Sequence, residues 1–312
     1  MKTLEELRQY YDDVLLPDLT VLEAQRKKVL RKIVIAGAVI LPVCILLAVL
    51  FRIAAYVFCI LGAILWLFLA AWFSRAYVSK FKTDIIKKIV KFIDESLVYS
   101  KDSHVKQGLF TASCIFKERV DEYDGDDHVT GMLEETKVQF SEIHAQHVSR
   151  DSKGRRRYHT IFKGLFFMAD FNKEFKGITV VLPDTAERLF GHIGTMLQSW
   201  NIKRADLVKL EDPEFEKMFV VYGKDQIEAR YVLSTSLMRR IVEFKKKTKR
   251  RVYLSFVGSK IFVAVAYGRD LFEPRIFRTL LDFAPVREYF EDLGMAAGIV
   301  KDLNLNTRIW TK

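Results

Sequence analysis

Cysteine is scarce in this sequence, with three among 312 residues. Cys44 and Cys59 lie inside long apolar runs, which leaves Cys114 alone in the rest of the chain. No disulfide framework can be built from this set, so the small disulfide-stapled secreted domains are excluded. The usage is typical of a protein exposed to a reducing compartment.

The common catalytic signatures are missing as well. The sequence contains no G-x-x-x-x-G-K-[ST], G-x-G-x-x-G, G-x-S-x-G or H-E-x-x-H motif. Cys114 has no histidine partner nearby in the sequence, and His144 and His147 are spaced to face opposite sides of a strand. We therefore expect no catalytic, cofactor-binding or metal-ligating residues, and the sequence favours a protein that is not an enzyme.

Two groups of carboxylates are explained by local structure rather than by metal binding or catalysis. The acidic run from Asp121 to Asp127 (DEYDGDD) has Tyr123 and Gly125 where a calcium-binding EF-hand loop needs oxygen ligands, so we interpret it as a solvated loop. The second group lies further along the chain, at spacings that helix caps explain. Its members are Asp212, Glu214, Glu216, Asp225 and Glu228.

Acidic residues are outnumbered, at 39 against 50 lysines and arginines, and the net charge is +11. This balance suits an anionic neighbour such as the inner leaflet of a membrane. Nucleic acid is the other common polyanion, but the sequence shows no recognition fold or stacking aromatic set, so we expect no specific nucleic-acid partner.

Long apolar runs, in contrast, are prominent. Residues 33–51 and 53–73 form two of them, separated by the single charge of Arg52. Each run makes a helix of roughly 30 Å, the thickness of the hydrocarbon core of a bilayer, and a single helix through both would be about twice too long. The sequence therefore predicts a transmembrane helical hairpin with Arg52 at its turn.

Basic residues flank the hairpin on both sides. Arg26, Lys27, Lys28, Arg31 and Lys32 precede it, and Arg75, Lys80, Lys82, Lys87 and Lys88 follow it. By the positive-inside rule, both termini are predicted to be cytoplasmic. We expect a multi-pass membrane protein.

The remaining sequence is predicted to form three further regions. Residues 1–32 carry a capping-box pattern at Thr3 and Glu6 and a helical apolar repeat, and residues 74–104 include an amphipathic helix over 81–99. Residues 105–312 mix helices, predicted over 105–116, from about residue 184 and from a cap at Ser234, with alternating strand patterns that include an antiparallel meander over 129–183. The order is not a regular βαβ alternation. We assign an α+β cytoplasmic domain, either single or made of two halves packed near residue 200.

Basic residues also cluster in the predicted domain. Lys153, Arg155, Arg156 and Arg157 occupy a predicted hairpin tip, where they are candidates for contact with anionic lipid. A second cluster over 245–251 ends a predicted helix, where cations are favoured by the helix dipole.

Three long stretches carry a family resemblance. They are FKGLFFMADFNKEFKGITVVLPD (residues 162–184), LEDPEFEKMFVVYGKDQIEARYVLS (210–234) and LNLNTRIWTK (303–312). The chain resembles a bacterial inner-membrane protein family known only as a domain of unknown function, some of whose members carry the label galanin. The resemblance implies a membrane hairpin with a cytoplasmic domain. It also implies a LemA-like membrane protein as a partner, because the two are often encoded side by side.

These observations lead to a ranked set of functions. The leading hypothesis is a membrane-anchored cytoplasmic scaffold or regulatory interaction module, with oligomer formation left open. The alternatives are a metal-dependent hydrolase acting at the membrane, which requires Asp212, Asp225 and Glu228 to meet in one pocket, and a sensor of anionic lipid that uses the basic hairpin.

Overall fold

A computed structural model describes residues 2–51, 55–171, 174, 176–184 and 206–305. The chain divides into two compact units, which we name by their content. The helical unit comprises Lys2–Phe92 and Phe272–Phe290, and the sheet unit comprises Ile93–Leu271 and the chain from Glu291 onward. The predicted turn at Arg52 and the predicted helix beginning near residue 184 lie outside the described residues.

The helical unit begins with α1 (Leu4–Tyr10), whose predicted capping box between Thr3 and Glu6 is confirmed. A π-helical segment, Tyr11–Leu15, leads into α2 (Leu16–Leu50). The helix α3 (Ala55–Phe81) continues through a second π-helical segment, Lys82–Ile86, into α4 (Lys87–Ile93).

The apolar face of the N-terminal helices is buried within this unit. Leu7, Leu15, Leu19 and Leu22 are fully buried. Ring pairs add further contacts, as Tyr10 stacks on Phe92 with centroids 4.3 Å apart. We conclude that the N-terminal segment packs on the protein's own body, as an amphipathic helix does.

Helices α2 and α3 pack against each other as an antiparallel pair. The Trp66 indole Nε1 donates to the Ile33 carbonyl at 3.1 Å, and Cys44 Sγ lies 3.5 Å from the Phe58 carbonyl oxygen. The approach is close at Gly62, where a Cβ would overlap Cys44 Sγ. The predicted helical hairpin is therefore confirmed as an arrangement of helices.

The helical stretches Leu4–Leu50 and Tyr56–Ile93 each contain an 18-residue window that is long and apolar enough to cross a membrane, with mean hydropathies of 3.1 and 2.3. Only 11% of each window is buried inside the protein.

Within the described residues, the sheet unit contains one antiparallel sheet of nine strands. The strands are β1 (Val98–Ser100), β2 (Glu122–Leu133), β3 (Thr136–Arg150), β4 (Arg156–Asp170), β5 (Ile178–Pro183), β6 (Asp206–Leu207), β7 (Phe219–Gly223), β8 (Val252–Val257) and β9 (Lys260–Ala266). Their order across the sheet is β1-β2-β3-β4-β9-β8-β5-β7-β6. The long hairpin of the predicted meander is confirmed as β3-β4, but β5, predicted to continue the meander, pairs with β7 and β8 instead. Strands β8 and β9 form a second hairpin that turns at Gly258, where φ is +59°.

The helices of the sheet unit are short, apart from two. They are α5 (Gln107–Ala112), α6 (Pro213–Glu216), α7 (Gln226–Val232), α8 (Thr235–Thr248) and α9 (Phe283–Asp302), of which α9 begins in the helical unit. The predicted caps Asp212, Asp225 and Ser234 each accept backbone N–H bonds at a helix start. The α+β class is therefore confirmed.

Aromatic side chains fill the core against the central strands. Phe110 of α5 lies 5.1 Å from Phe166 of β4 and stacks on Phe116 at 5.2 Å, measured between ring centroids. Strand β5 pairs with both β7 and β8, so one sheet continues across residue 200. The domain boundaries drawn from the sequence stay a prediction.

Three predicted elements are corrected by the structure. The helix predicted over 81–99 ends at Ile93, because a turn at Asp94 follows and the chain enters β1. The helix predicted over 105–116 is limited to Gln107–Ala112. The acidic run interpreted as a loop forms the first half of β2, where backbone pairing with β3 outweighs its polar composition.

Candidate functional site

The carboxylates that the hydrolase hypothesis requires accept hydrogen bonds from backbone N–H groups. Asp212 Oδ1 accepts the N–H groups of Glu214 and Phe215 at 3.0 Å, and Asp225 Oδ1 accepts those of Ile227 and Glu228. The Glu228 carboxylate accepts the N–H groups of residues 176 and 177 at 2.8 and 2.7 Å. Glu216 accepts from Leu210, and Glu214 pairs with Lys246.

These five carboxylates are therefore not brought together. Among the described residues, the one group of three metal-ligating side chains lies elsewhere, on β2 and β3. It consists of Asp126, Asp127 and Glu142, and we call it the carboxylate cluster.

A bulge in β2 builds the carboxylate cluster. Asp126 is the direct cross-strand partner of Glu142, and the register then shifts before Val129 pairs with Phe140. Asp127 lies in this bulge with φ at +56°, in the left-handed region that Asp tolerates better than most residues. One carboxylate oxygen from each of the three residues lies within 4.8 Å of the other two.

Two of the three carboxylates are buried, and Asp126 is partly exposed. Glu142 is 6% exposed and Asp127 is 1% exposed. The Leu271 N–H donates to Glu142 Oε2 at 2.9 Å, and the Tyr99 hydroxyl donates to Asp127 Oδ1. Burial raises the pKa of Glu142 to about 7, and the negative charges of Asp126, Asp270 and Asp127 add to that rise against the Leu271 hydrogen bond.

Three carboxyl groups at this spacing repel one another when all are ionised, and two chemical states relieve that repulsion. One is protonation, in which the cluster shares a proton with the Glu142 carboxyl. The other is a hard divalent cation such as Ca²⁺ or Mg²⁺, which prefers carboxylate oxygens. Asp126, Asp127 and Glu142 are the residues that could hold such an ion.

Sequence reasoning missed the contribution of Glu142. The signal available was a break in the alternation of β3, where the apolar positions Val138 and Phe140 are followed by Ile143 and Ala145. The change of phase places Ser141 and Glu142 among buried positions. Long-range pairing with the acidic strand β2 then completes a site that no local motif describes.

The predicted basic hairpin is the second candidate surface. Lys153 and Arg155 lie in the turn between β3 and β4, and Arg156 and Arg157 begin β4. All four residues are exposed. The predicted position at a hairpin tip is therefore confirmed, while contact with lipid stays a prediction.

In the other basic cluster, over 245–251, several of the cations have partners within the sheet unit. Lys246 pairs with Glu214, and Lys247 pairs with Asp302 at 2.8 Å. Lys245 Nζ donates to the Arg250 carbonyl, and the Arg250 guanidinium lies 3.8 Å from the centroid of the Tyr267 ring. These cations stabilise the end of α8 and its surroundings.

Residues 160–305 match the family described as "Protein of unknown function (DUF3137)". The match confirms the predicted family of unknown function, and the link to LemA-like proteins stays a prediction. Among solved structures, the crystal structure of the mycobacterial trehalose monomycolate transport factor A, TtfA, is similar at a TM-score of 0.33 with 12% sequence identity, over 67% of this chain and 94% of that one. No curated protein matches the chain.

Proposed function

We propose that this protein is an integral protein of the bacterial inner membrane, in which the α2–α3 hairpin anchors a cytoplasmic sheet unit that acts as a scaffold or regulatory interaction module. The observation that carries the anchor is the exposure of the two apolar windows, which are 11% buried. A core helix of a soluble protein would be mostly buried. Side chains such as Leu46 and Phe68 would instead leave large apolar areas in water, at about 25 cal/mol per Å².

The flanking charges support the cytoplasmic placement of both termini. Lys27, Lys28, Arg31 and Lys32 precede the first apolar run, and a second basic group follows the other. Loops rich in lysine and arginine are retained on the cytoplasmic side.

Thiol labelling tests the topology. In a chain whose Cys44, Cys59 and Cys114 are replaced by alanine, Ser152→Cys places a thiol at the exposed β3–β4 turn and Arg52→Cys places one at the predicted membrane turn. With a membrane-impermeant maleimide on spheroplasts, we expect Arg52→Cys to be labelled and Ser152→Cys to be protected until the membrane is permeabilised. Labelling of Ser152→Cys without permeabilisation would contradict the orientation.

Alkaline carbonate extraction is the matched control for insertion itself. The full chain should remain in the membrane pellet, since an anchor of two apolar helices is not released by breaking ionic contacts. Release into the supernatant would contradict the anchor whatever the labelling pattern shows.

The interaction module is tested by purification in mild detergent from native membranes. We expect the full chain to co-purify with a protein partner in a fixed stoichiometry, measured by mass spectrometry and light scattering. The resemblance to the DUF family proposes a LemA-like membrane protein as that partner. A monodisperse monomer that carries no other protein would contradict the module.

A further inference from the structure

The hairpin of β3 and β4 extends beyond its neighbours in the sheet. Pairing with β2 ends at Gln146, and Asp121 makes a last contact at the N–H of Val148. On the other side, β9 ends opposite Gly164, and the Tyr267 N–H bonds to the Lys163 carbonyl. Within the described residues, the two strands therefore continue alone past Val148 for two further residue pairs, roughly 7 Å, before the turn.

Asp151 fixes the turn at the end of this ribbon. Its Oδ1 accepts the N–H groups of Lys153 and Arg155, each at 2.9 Å, and its Oδ2 lies 2.9 Å from the Arg155 Nε. Gly154, at φ +76°, closes the turn with its N–H on the Asp151 carbonyl. The only acidic residue of the tip is thus used to shape the turn.

The remaining charges of the tip repel one another. Arg150–Arg157, which we call the basic tip, holds five basic residues and one acidic residue. Arg150 is the direct cross-strand partner of Arg156, and like charges in that position are destabilising. A two-stranded ribbon is marginally stable by itself, and one aspartate, Asp151, cannot balance the five basic residues, so most of this charge does not stabilise the fold.

We propose that the basic tip binds the anionic phospholipid headgroups of the membrane that anchors the chain. This inference rests on the proposed function, because an anchored domain meets headgroups at a high effective concentration. Lipid phosphates diffuse laterally in the membrane, so they can reach the exposed arginine side chains without a preformed binding pocket. Tyr158, half-exposed next to Arg157, is the kind of side chain that is enriched at the membrane–water interface.

The test measures contact of the tip with lipid in the full, inserted chain. The cysteine-free chain with Ser152→Cys is labelled with bimane and reconstituted into vesicles of phosphatidylcholine, or of equal parts phosphatidylcholine and phosphatidylglycerol, with a nitroxide-headgroup lipid as quencher. We expect quenching only in the anionic vesicles, and we expect high salt to reverse it because exposed charges are screened.

Substitutions identify the residues responsible. Each cation near an anionic surface contributes about a fivefold factor, so Arg155→Ala, Arg156→Ala and Arg157→Ala together should lower the bound-to-free ratio of the tip about 100-fold. The corresponding triple arginine-to-lysine variant should retain contact. A control triple, Lys137→Ala, Lys209→Ala and Lys224→Ala, removes equal charge from other exposed positions of the sheet unit and should leave quenching unchanged.

The outcomes separate this inference from the proposed function. Loss of the chain from vesicles after an alkaline wash would contradict the membrane anchor. Stable insertion with equal quenching in both lipid mixtures would overturn the lipid contact alone. A bimane response to added duplex DNA that phosphatidylglycerol does not produce would also overturn it, in favour of nucleic acid.

Discussion

Replacing Arg26 with methionine is expected to destabilise the helical unit by roughly 3–5 kcal/mol, the cost of leaving a buried charge without its partner. The Arg26 guanidinium makes two parallel bonds to Glu23, at 2.8 and 2.7 Å, and the side chains are 8% and 6% exposed. Arg26 also donates to the Ile276 carbonyl at 2.7 Å. Denaturant unfolding of the purified chain in detergent, followed by circular dichroism, measures the loss.

A second variant separates the lost charge pair from lost packing. Glu23 Oε2 also accepts the Leu280 N–H at 3.0 Å, so Glu23→Gln keeps an acceptor there while it removes the negative charge. The double variant with Arg26→Met should therefore recover much of the stability that Arg26→Met loses. A single-variant cost below about 1 kcal/mol, the range of exposed ion pairs, would contradict the burial of this pair.

The same pair gives a pH dependence of known sign. The hydrogen bond from Arg26 lowers the pKa of Glu23 below its ordinary value of 4.5, against the effect of burial. The Glu23 carboxylate therefore contributes stability above that value, and the contribution is lost as the pH falls through the folded-state pKa. Arg26→Met should remove this part of the acid sensitivity.

Local patterns predicted the parts of the fold that depend on near neighbours. The apolar runs, the capping box at Thr3 and Glu6 and the caps Asp212 and Asp225 are set by residues a few positions apart, and the structure contains them all. The β3–β4 hairpin was predictable because a short turn joins strands that are consecutive in sequence.

Features that depend on distant pairing were not predictable in this way. Strand β5 lies between β7 and β8, which are separated from it by at least 36 positions of sequence. The acidic half of β2 has low strand propensity, and it is a strand because β3 supplies its backbone partners. The helical spacing of apolar residues in the helix predicted over 81–99 continues beyond Ile93 to Leu97. The helix nevertheless ends, because the Asp94 carboxylate accepts the Ser96 N–H and competes with helical hydrogen bonding.

The two candidate sites differ in the same way, since one is built from sequence neighbours and the other from distant residues. The basic tip was predictable, since its charges are consecutive and its turn residues are local. The carboxylate cluster was not, because Glu142 meets Asp126 and Asp127 only through strand register and a bulge. Its burial also depends on the Leu271 segment, which is 129 positions away along the chain.

Glu142→Gln is expected to stabilise the sheet unit by about 3 kcal/mol near pH 8 and to leave its stability unchanged at pH 4.5. The folded-state pKa of Glu142 is about 7, against an ordinary value of 4.5. Between these values the folded state holds a proton that the unfolded state has released, so the free energy of unfolding falls as the pH rises. Glutamine does not titrate, and its carbonyl can still accept the Leu271 N–H. Denaturant unfolding across this pH range, with a chelator present, measures the difference.

The control and the contradicting results distinguish a proton from a cation in the carboxylate cluster. Glu122→Gln removes an exposed carboxylate from the same strand β2 and should change the pH dependence little. If Glu142→Gln lowers stability near pH 8 with the chelator present, the account of a buried, proton-holding carboxyl is wrong. If Ca²⁺ or Mg²⁺ stabilises the parent chain near pH 8 but not the Glu142→Gln variant, the ion replaces the proton as the partner of these carboxylates. Binding to the folded state alone would then raise the free energy of unfolding with the logarithm of the ion concentration, which a proton-only cluster does not do.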